Sequence, residues 1–283
     1  AIRSGAWSYI AKPPSMNSIQ LPVLRAIEYN KKKRLVKSPR LLKRESIIGE
    51  SRTLLACLEQ VAQSAALCVN VLITGETGTG KELFARAIHE NSDRARQPFI
   101  VVDCAAMPEN LIESMLFGHM KGAFTGADKS TDGLIRQAHK GTLFLDEVGE
   151  LPLSMQKAFL RVLQEKRFRP VGSTAEVESD FRLVAATNKN LEEMVERWTF
   201  RQDLLFRLKT LGIELPPLRE RGEDIKLLTY HFMEEHCHRA GIPRKGISVE
   251  FFQGLMAYPW PGNVRELAHA LENALTQAYD EPV

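Results

Sequence analysis

The run Val69-Asn70-Val71-Leu72-Ile73 is apolar in the manner of a buried strand, and it leads into Gly75-Glu76-Thr77-Gly78-Thr79-Gly80-Lys81. A helical pattern starts at Glu82. Strand, glycine-rich turn and helix in that order make a phosphate-binding loop, which few folds accept, because the strand must lie in a parallel sheet with the helix packed back across it. The glycines let backbone N–H groups turn inward around phosphate oxygens. The helix N-terminus adds partial positive charge, and Lys81 has the length to reach terminal phosphates. One position departs from the usual motif. A Ser or Thr hydroxyl commonly follows the lysine and touches magnesium, whereas Glu82 stands here. Metal positioning must then lean on water and on a second motif.

That second motif is Thr142-Leu143-Phe144-Leu145-Asp146-Glu147, an apolar strand ending in two carboxylates. At a strand's carboxyl end beside a phosphate loop, Asp146 is placed to hold magnesium directly or through water. Glu147 is placed to polarise an attacking water as general base. A third strand, Arg182 to Ala186, ends in Thr187-Asn188. Asn188 is either an ordinary strand-end cap or a sensor that hydrogen-bonds the attacking water or terminal phosphate; beside the Asp-Glu strand the sensor role is favoured.

The rest of the pattern agrees with an α/β fold. A helix is expected near 51–66 and strands near 70–74, 99–102, 142–146, 182–186 and 210–214, with helices in the gaps. After Pro216-Pro217 the pattern turns wholly helical, with helices near 222–240, 248–257 and 262–279. The expected architecture is a parallel sheet covered by helices over residues 46–215, followed by a smaller all-helical lobe over 216–283. Residues 31–45, KKKRLVKSPRLLKRE, form a basic linker. Upstream, Trp7 to Ala11 reads as a short strand stopped by Lys12-Pro13. A helix follows, with Leu21, Leu24, Ile27 and Ile19 on one face and Pro22 in its first turn. This piece, residues 1–30, is too small to bury a core of its own.

Composition excludes several classes. No apolar run approaches a membrane span. Cys57, Cys68, Cys104 and Cys237 form no CxxC pair, so reduced, buried thiols are expected rather than a metal cluster. The net charge of +3 conceals an uneven distribution: Arg25 to Glu45 holds nine Lys/Arg against Glu28 and Glu45. The basicity belongs to that segment, so the main body is not marked for nucleic acid. Ala1 is no initiator and no signal peptide follows it, so a cytoplasmic fragment of a longer chain is expected.

Between the two nucleotide motifs lies Gly122-Ala123-Phe124-Thr125-Gly126-Ala127. Glycines bracket the segment, which reads as a deformable tip. Phe124 at such a tip is costly in water unless it meets a partner.

Together, GETGTGKE, GAFTGA, GTLFLDE, FRQDLLFRL and WPGNVREL make residues 46–280 resemble the AAA+ ATPase domain of sigma-54-dependent transcription activators, the bacterial enhancer-binding proteins. Glu82 is usual in that family. Residues 1–30 are similar to the last strand and helix of a response-regulator receiver domain, which implies a two-component system. The resemblance implies ATP and Mg2+ as cofactors, with residues 75–82 (Gly75, Glu76, Thr77, Gly78, Thr79, Gly80, Lys81, Glu82) around the phosphates. It implies assembly into a ring, usually of six, and hydrolysis that drives Phe124 and Thr125 against sigma-54 so that the closed complex with RNA polymerase opens. Arg201 and Arg207 match the family's arginine fingers, which reach the neighbouring subunit's γ-phosphate. Six positions apart they do not share a helix face, while Phe200, Leu204 and Leu208 line the buried side. Arg265 matches a second sensor on the bound nucleotide; an ion pair with Glu266 or Glu272 is its alternative. Asp103 stands where many members carry an asparagine that restrains the catalytic glutamate, and an aspartate there would repel Glu147. A specific DNA-binding helix-turn-helix is expected in a C-terminal domain beyond Val283. Two rival readings are a nucleotide-dependent scaffold or repressor without turnover, and a DNA translocase, for which the Phe-Thr loop centre is a poor fit.

Overall fold

A computed structural model describes residues 42–44, 46–108, 110–243 and 245–277. The expected strand and helix over residues 7–34 lie outside them. The order of elements is α1 (Arg52–Ala65), β1 (Val71–Thr74), α2 (Lys81–Glu90), β2 (Phe99–Asp103), α3 (Ile112–Phe117), β3 (Gly118–His119), β4 (Thr131–Asp132), α4 (Leu134–Gln137), β5 (Thr142–Asp146), α5 (Leu153–Glu165), β6 (Arg167–Phe168), β7 (Val177–Glu178), β8 (Arg182–Thr187), α6 (Leu191–Glu196), α7 (Gln202–Leu208), β9 (Leu211–Glu214), α8 (Gly222–Ala240), α9 (Val249–Ala257) and α10 (Asn263–Gln277).

Five strands form one sheet in the order β2-β5-β8-β1-β9, every neighbouring pair parallel. The central strands β5, β8 and β1 are buried along nearly their whole length, which is why they read as continuous apolar runs. Side chains alternate between faces. Leu72, Leu143, Leu145, Leu183 and Ala185 enter one core with Phe159, Leu163, Leu204 and Leu208 of α5 and α7. Val71, Ile73, Phe144, Val184 and Ala186 enter the other with Leu54, Val61, Phe84 and Ile88 of α1 and α2. The last three helices build a separate core around Leu228, Leu255, Trp260, Leu267 and Leu271. The expected fold class holds, and its five main strands fall within a residue or two of their expected places.

Two small ribbons stand apart from the main sheet: β3 pairs with β4 and β6 with β7, both antiparallel. Arg182, buried at the start of β8, donates through Nη2 to Ser64 O (2.6 Å) and closes the carboxyl end of α1. Burial pulls its guanidinium down to about 10. The cysteines are all free; Cys57, Cys104 and Cys237 are buried as expected, but Cys68 is exposed, because it sits in the turn after α1 and not on a packed face. Among the described residues no helix is long and apolar enough to cross a membrane, and no cluster of three His, Cys, Asp or Glu side chains forms a metal site.

Candidate nucleotide site and its lid

Because β5, β8 and β1 are neighbours, their carboxyl ends bring the three motifs to one edge of the sheet. Lys81 is buried, and its ammonium donates to the carbonyls of Gly75 (3.1 Å) and Glu76 (3.3 Å) while lying 3.5 Å from Glu147 Oε1. Asn188 links the other pieces: its backbone N–H donates to Glu147 Oε2 (3.1 Å) and its amide to Thr77 Oγ1 (2.9 Å). One contact chain therefore joins phosphate loop, glutamate and third strand. Glu147 itself has φ 48° and ψ 51°, a left-handed conformation that costs a non-glycine residue on the order of 1 kcal/mol and is retained mainly at functional sites.

Asp146 ends β5, and its Oδ1 accepts the Glu147 N–H at 3.1 Å. Burial, reinforced by the charge of Glu147, pushes its carboxyl above the ordinary value. One half-buried carboxylate at this edge fits magnesium, which takes one or two protein carboxylates and completes its shell with phosphate oxygens and water. Asp103 is the register partner of Asp146. Its Oδ1 accepts the N–H groups of Ala105 (3.0 Å) and Ala106 (3.2 Å), so the aspartate caps its own turn while Glu147 leans toward Lys81. Glu82 points its carboxylate at Arg86 one helical turn on, at 2.7 Å, and not at the phosphate loop.

The lid rests directly on the loop. Gly78 has φ 80°, and a Cβ added there would meet Gly262 O at 2.1 Å, so only glycine fits. Its carbonyl accepts the N–H groups of Val264 (3.0 Å) and Arg265 (3.4 Å) and so caps α10. Arg265 sits in the first turn of α10, exposed, and its two candidate partners are engaged elsewhere: Glu266 with Gly262 N–H (2.7 Å) and Glu272 near His236 (3.8 Å).

Sequence reasoning missed the residue that fastens this contact. Asn263 is fully buried at φ 55°. Its Oδ1 accepts Leu218 N–H (2.7 Å), and its Nδ2 donates to Glu76 Oε2 (3.1 Å) and Thr77 O (3.0 Å). Arg219 grips Glu76 through two bonds of 2.8 and 2.6 Å. This fork, then Asn263, holds the Glu76 carboxyl below its ordinary value. The available signal was the Gly262-Asn263 pair at a helix start, since asparagine tolerates the left-handed region. A second clasp lies at the base of the lid. Asp224 is buried; burial alone would raise its carboxyl. Bonds from the Ser51 hydroxyl, the Glu50 N–H, Arg221 and the Ser51 N–H outweigh that and hold it low.

Arg201 and Arg207 stand apart from this edge's contact chain. Arg201 precedes α7, half-buried, with its guanidinium forked onto Asp203 at 3.0 and 2.7 Å. Arg207, in the last turn of α7, donates to Leu163 O at 3.2 Å. Phe200, Leu204 and Leu208 are buried as expected.

The Gly122–Ala127 loop is the link between β3 and β4. It closes on itself through Gly122 N–H to Ala127 O (2.8 Å) and Ala127 N–H to Phe124 O (3.0 Å). Gly122 and Gly126 take φ 80° and 96° with open space around them. Phe124 is 39% exposed, its ring 5.0 Å from that of His119. The tip expected to be deformable is here a folded turn. It also leans on the second ribbon: Met120 N–H donates to Val171 O at 3.0 Å, and Gly172 faces Ala123 so closely that an added Cβ would lie 2.8 Å from it.

The sigma-54 interaction domain profile matches residues 47–214. The chain belongs to that family. The AAA+ ATPase lid domain matches residues 219–283, which contain Asn263 and Arg265. The chain is 44% identical over 280 residues to regulatory protein AtoC of Escherichia coli, covering 97% of this chain and 61% of AtoC. The crystal structure of NtrX from Brucella abortus superposes with a TM-score of 0.78 at 37% identity, over 99% of this chain and 62% of NtrX. The chain thus spans about three fifths of the length of these relatives. The S. cerevisiae Hsp104–ADP complex, at 17% identity and a TM-score of 0.58 over 92% of this chain and 51% of its own, shares the fold.

Proposed function

We propose that this chain hydrolyses ATP and spends the step on remodelling a sigma-54 RNA polymerase at a closed promoter complex, within a response regulator of a two-component system. The observation that carries the reading is the convergence of Lys81, Glu147 and Asn188 on one sheet edge beneath Gly78. NtrX of Brucella abortus, similar over nearly the whole chain, has been crystallised with ATP and with ADP.

In this reading the loop N–H groups from Gly75 to Lys81 cradle the phosphates, and the Lys81 ammonium exchanges its carbonyl partners for phosphate oxygens. Mg2+, held by Asp146, would neutralise charge on those oxygens. Released from Lys81, Glu147 takes the proton of the attacking water, while Asn188 orients that water and reports the loss of the terminal phosphate. Arg265 contacts nucleotide from the lid of its own subunit. Arg201 breaks its fork with Asp203 to reach a neighbour's γ-phosphate in a ring of six, and Arg207, on a different face of the same segment, has a separate role at that boundary. Asp103 restrains Glu147 through water or a bridging cation. Phe124 and Thr125, on a turn braced by the second ribbon, press on sigma-54.

The test is a paired assay on purified protein. Magnesium-dependent ATP turnover together with sigma-54 binding, the latter only with an ATP transition-state mimic, is expected. Absence of turnover in the assembled oligomer overturns the reading in favour of a scaffold.

A further inference from the structure

We propose that the lid carries a docking groove for the chain's own basic segment, residues 31–41. Helix α9 is the most apolar of the lid helices, yet Leu255 is its one buried residue. Phe251 and Gly254 lie on the same face as Leu255, and Tyr258 just beyond the helix is 48% exposed. Between α9 and the start of α10 runs a groove of about 530 Å³ lined by Phe251, Leu255, Tyr258 and Trp260, with the carboxylates of Glu250 and Glu266 beside them. An apolar groove flanked by like charge is the form of an interaction site.

Charge and chain path choose the occupant. Residues 216–283 hold seven Lys/Arg against ten Asp/Glu, while Arg25 to Glu45 holds nine against two. Within the basic segment, Leu35, Val36 and Leu41 supply apolar side chains among the cations. Lysine and arginine can lie over an exposed aromatic face such as Tyr258 while their heads meet carboxylates. The path is short. Lys43 N–H bonds Asn91 Oδ1 at 2.8 Å, and Ile48 already packs in the lid core with Phe251, Leu255 and Trp260. Leu42 is therefore within roughly 20 Å of the groove's walls by chain length alone, and residues 31–41 can extend roughly 35 Å further. An occupied groove would sit one helix away from Gly78, whose carbonyl caps α10.

The test uses the full chain with Cys68→Ser, since Cys68 is the exposed thiol. Val36→Cys is combined with Gly254→Cys, a wall position where an added Cβ meets nothing within 4 Å. The control pairs Val36→Cys with Gly212→Cys on the edge strand. Under mild oxidation the groove pair should form an intrachain disulfide about tenfold faster than the control. Glu250→Lys, or salt at about 0.5 M, should slow it severalfold. With Trp7 and Trp198 replaced by Phe throughout, Trp260 emission verifies a folded lid in each variant. Equal rates for the two pairs, or disulfides formed only between chains, overturn the proposal, the latter assigning the groove to a second copy. In the unmodified chain, amide exchange over 249–258 should speed up on adding salt; exchange indifferent to salt also overturns it.

Discussion

Replacing Asn263 tests whether the lid is fastened to the phosphate loop by one side chain. Asn263→Ala removes the acceptor of the buried Leu218 N–H and the donor to Glu76 and Thr77. An orphaned buried N–H costs about 1–3 kcal/mol, and each lost bond about 0.5–1.5 kcal/mol. The Arg219–Glu76 fork remains, but as a solvent-screened pair it offsets little of that loss. Alanine at φ 55° adds roughly 1 kcal/mol of backbone strain. The expected loss for Asn263→Ala is about 3–4 kcal/mol of lid stability, and Asn263→Gly, which relieves the strain, should lose roughly 1 kcal/mol less. Trp260 reports the change, being buried in the lid core with its Nε1 bonded to Leu255 O at 2.8 Å. Trp7 and Trp198, the latter 87% exposed, are replaced by Phe so that Trp260 alone emits. Urea unfolding followed at Trp260 gives the stability of the lid. If Asn263→Ala shifts it by less than about 0.5 kcal/mol, or if Gly and Ala are equal, the clasp is not where the energy lies.

Other predictions follow from the same geometry. Glu147→Gln should keep ATP binding, because Lys81 and the loop are intact, and lower turnover by about 10²–10⁴ in a phosphate-release assay. Thr125→Ala should leave ATPase activity within about twofold and abolish sigma-54 engagement; joint loss of both in pull-down and turnover assays would make the loop part of the ATP site. His89 is buried against Thr142 Oγ1 at 3.0 Å, and burial holds its imidazole below the ordinary value. The folded state therefore disfavours the imidazolium. Stability is full above the unfolded value of about 6.5 and falls as pH drops below it, levelling off beneath the folded pKa. Thermal unfolding of His89→Gln from pH 7.5 to 5 should show a shallower decline than the parent.

Local chemistry made the sheet legible. The strands β1, β5 and β8 are buried on both faces and so are nearly unbroken apolar runs, and two of the three motifs carry charged or glycine-rich signatures at their ends. The lid clasp was illegible because Asn263 and Glu76 are 187 positions apart, and neither residue type announces a partner at that range. Glu82 and Asp103 were read as site residues from motif position alone. In this structure their side chains bond locally, to Arg86 and to the Ala105 and Ala106 N–H groups. The glycines of the Gly122–Ala127 loop mark a deformable tip in the sequence, while its bracing by Val171 and Gly172, in the link between β6 and β7, is invisible there.

The seat of α10 on Gly78 has a consequence for how the chain is made. The cap joins residue 78 to residues 264 and 265, and at ribosomal speeds of about 5–20 residues per second those partners emerge roughly 10–40 s apart. During that interval the phosphate loop is complete in sequence but lacks its roof. The strand that carries it, β1, is seated between β8 and β9, so nucleotide can reach a seated loop only after Glu214 has emerged, and docking of α10 would then close over a filled site. Folding of the lid would then be drawn forward by ligand mass action, and nucleotide added to the refolding chain should speed the docking of α10.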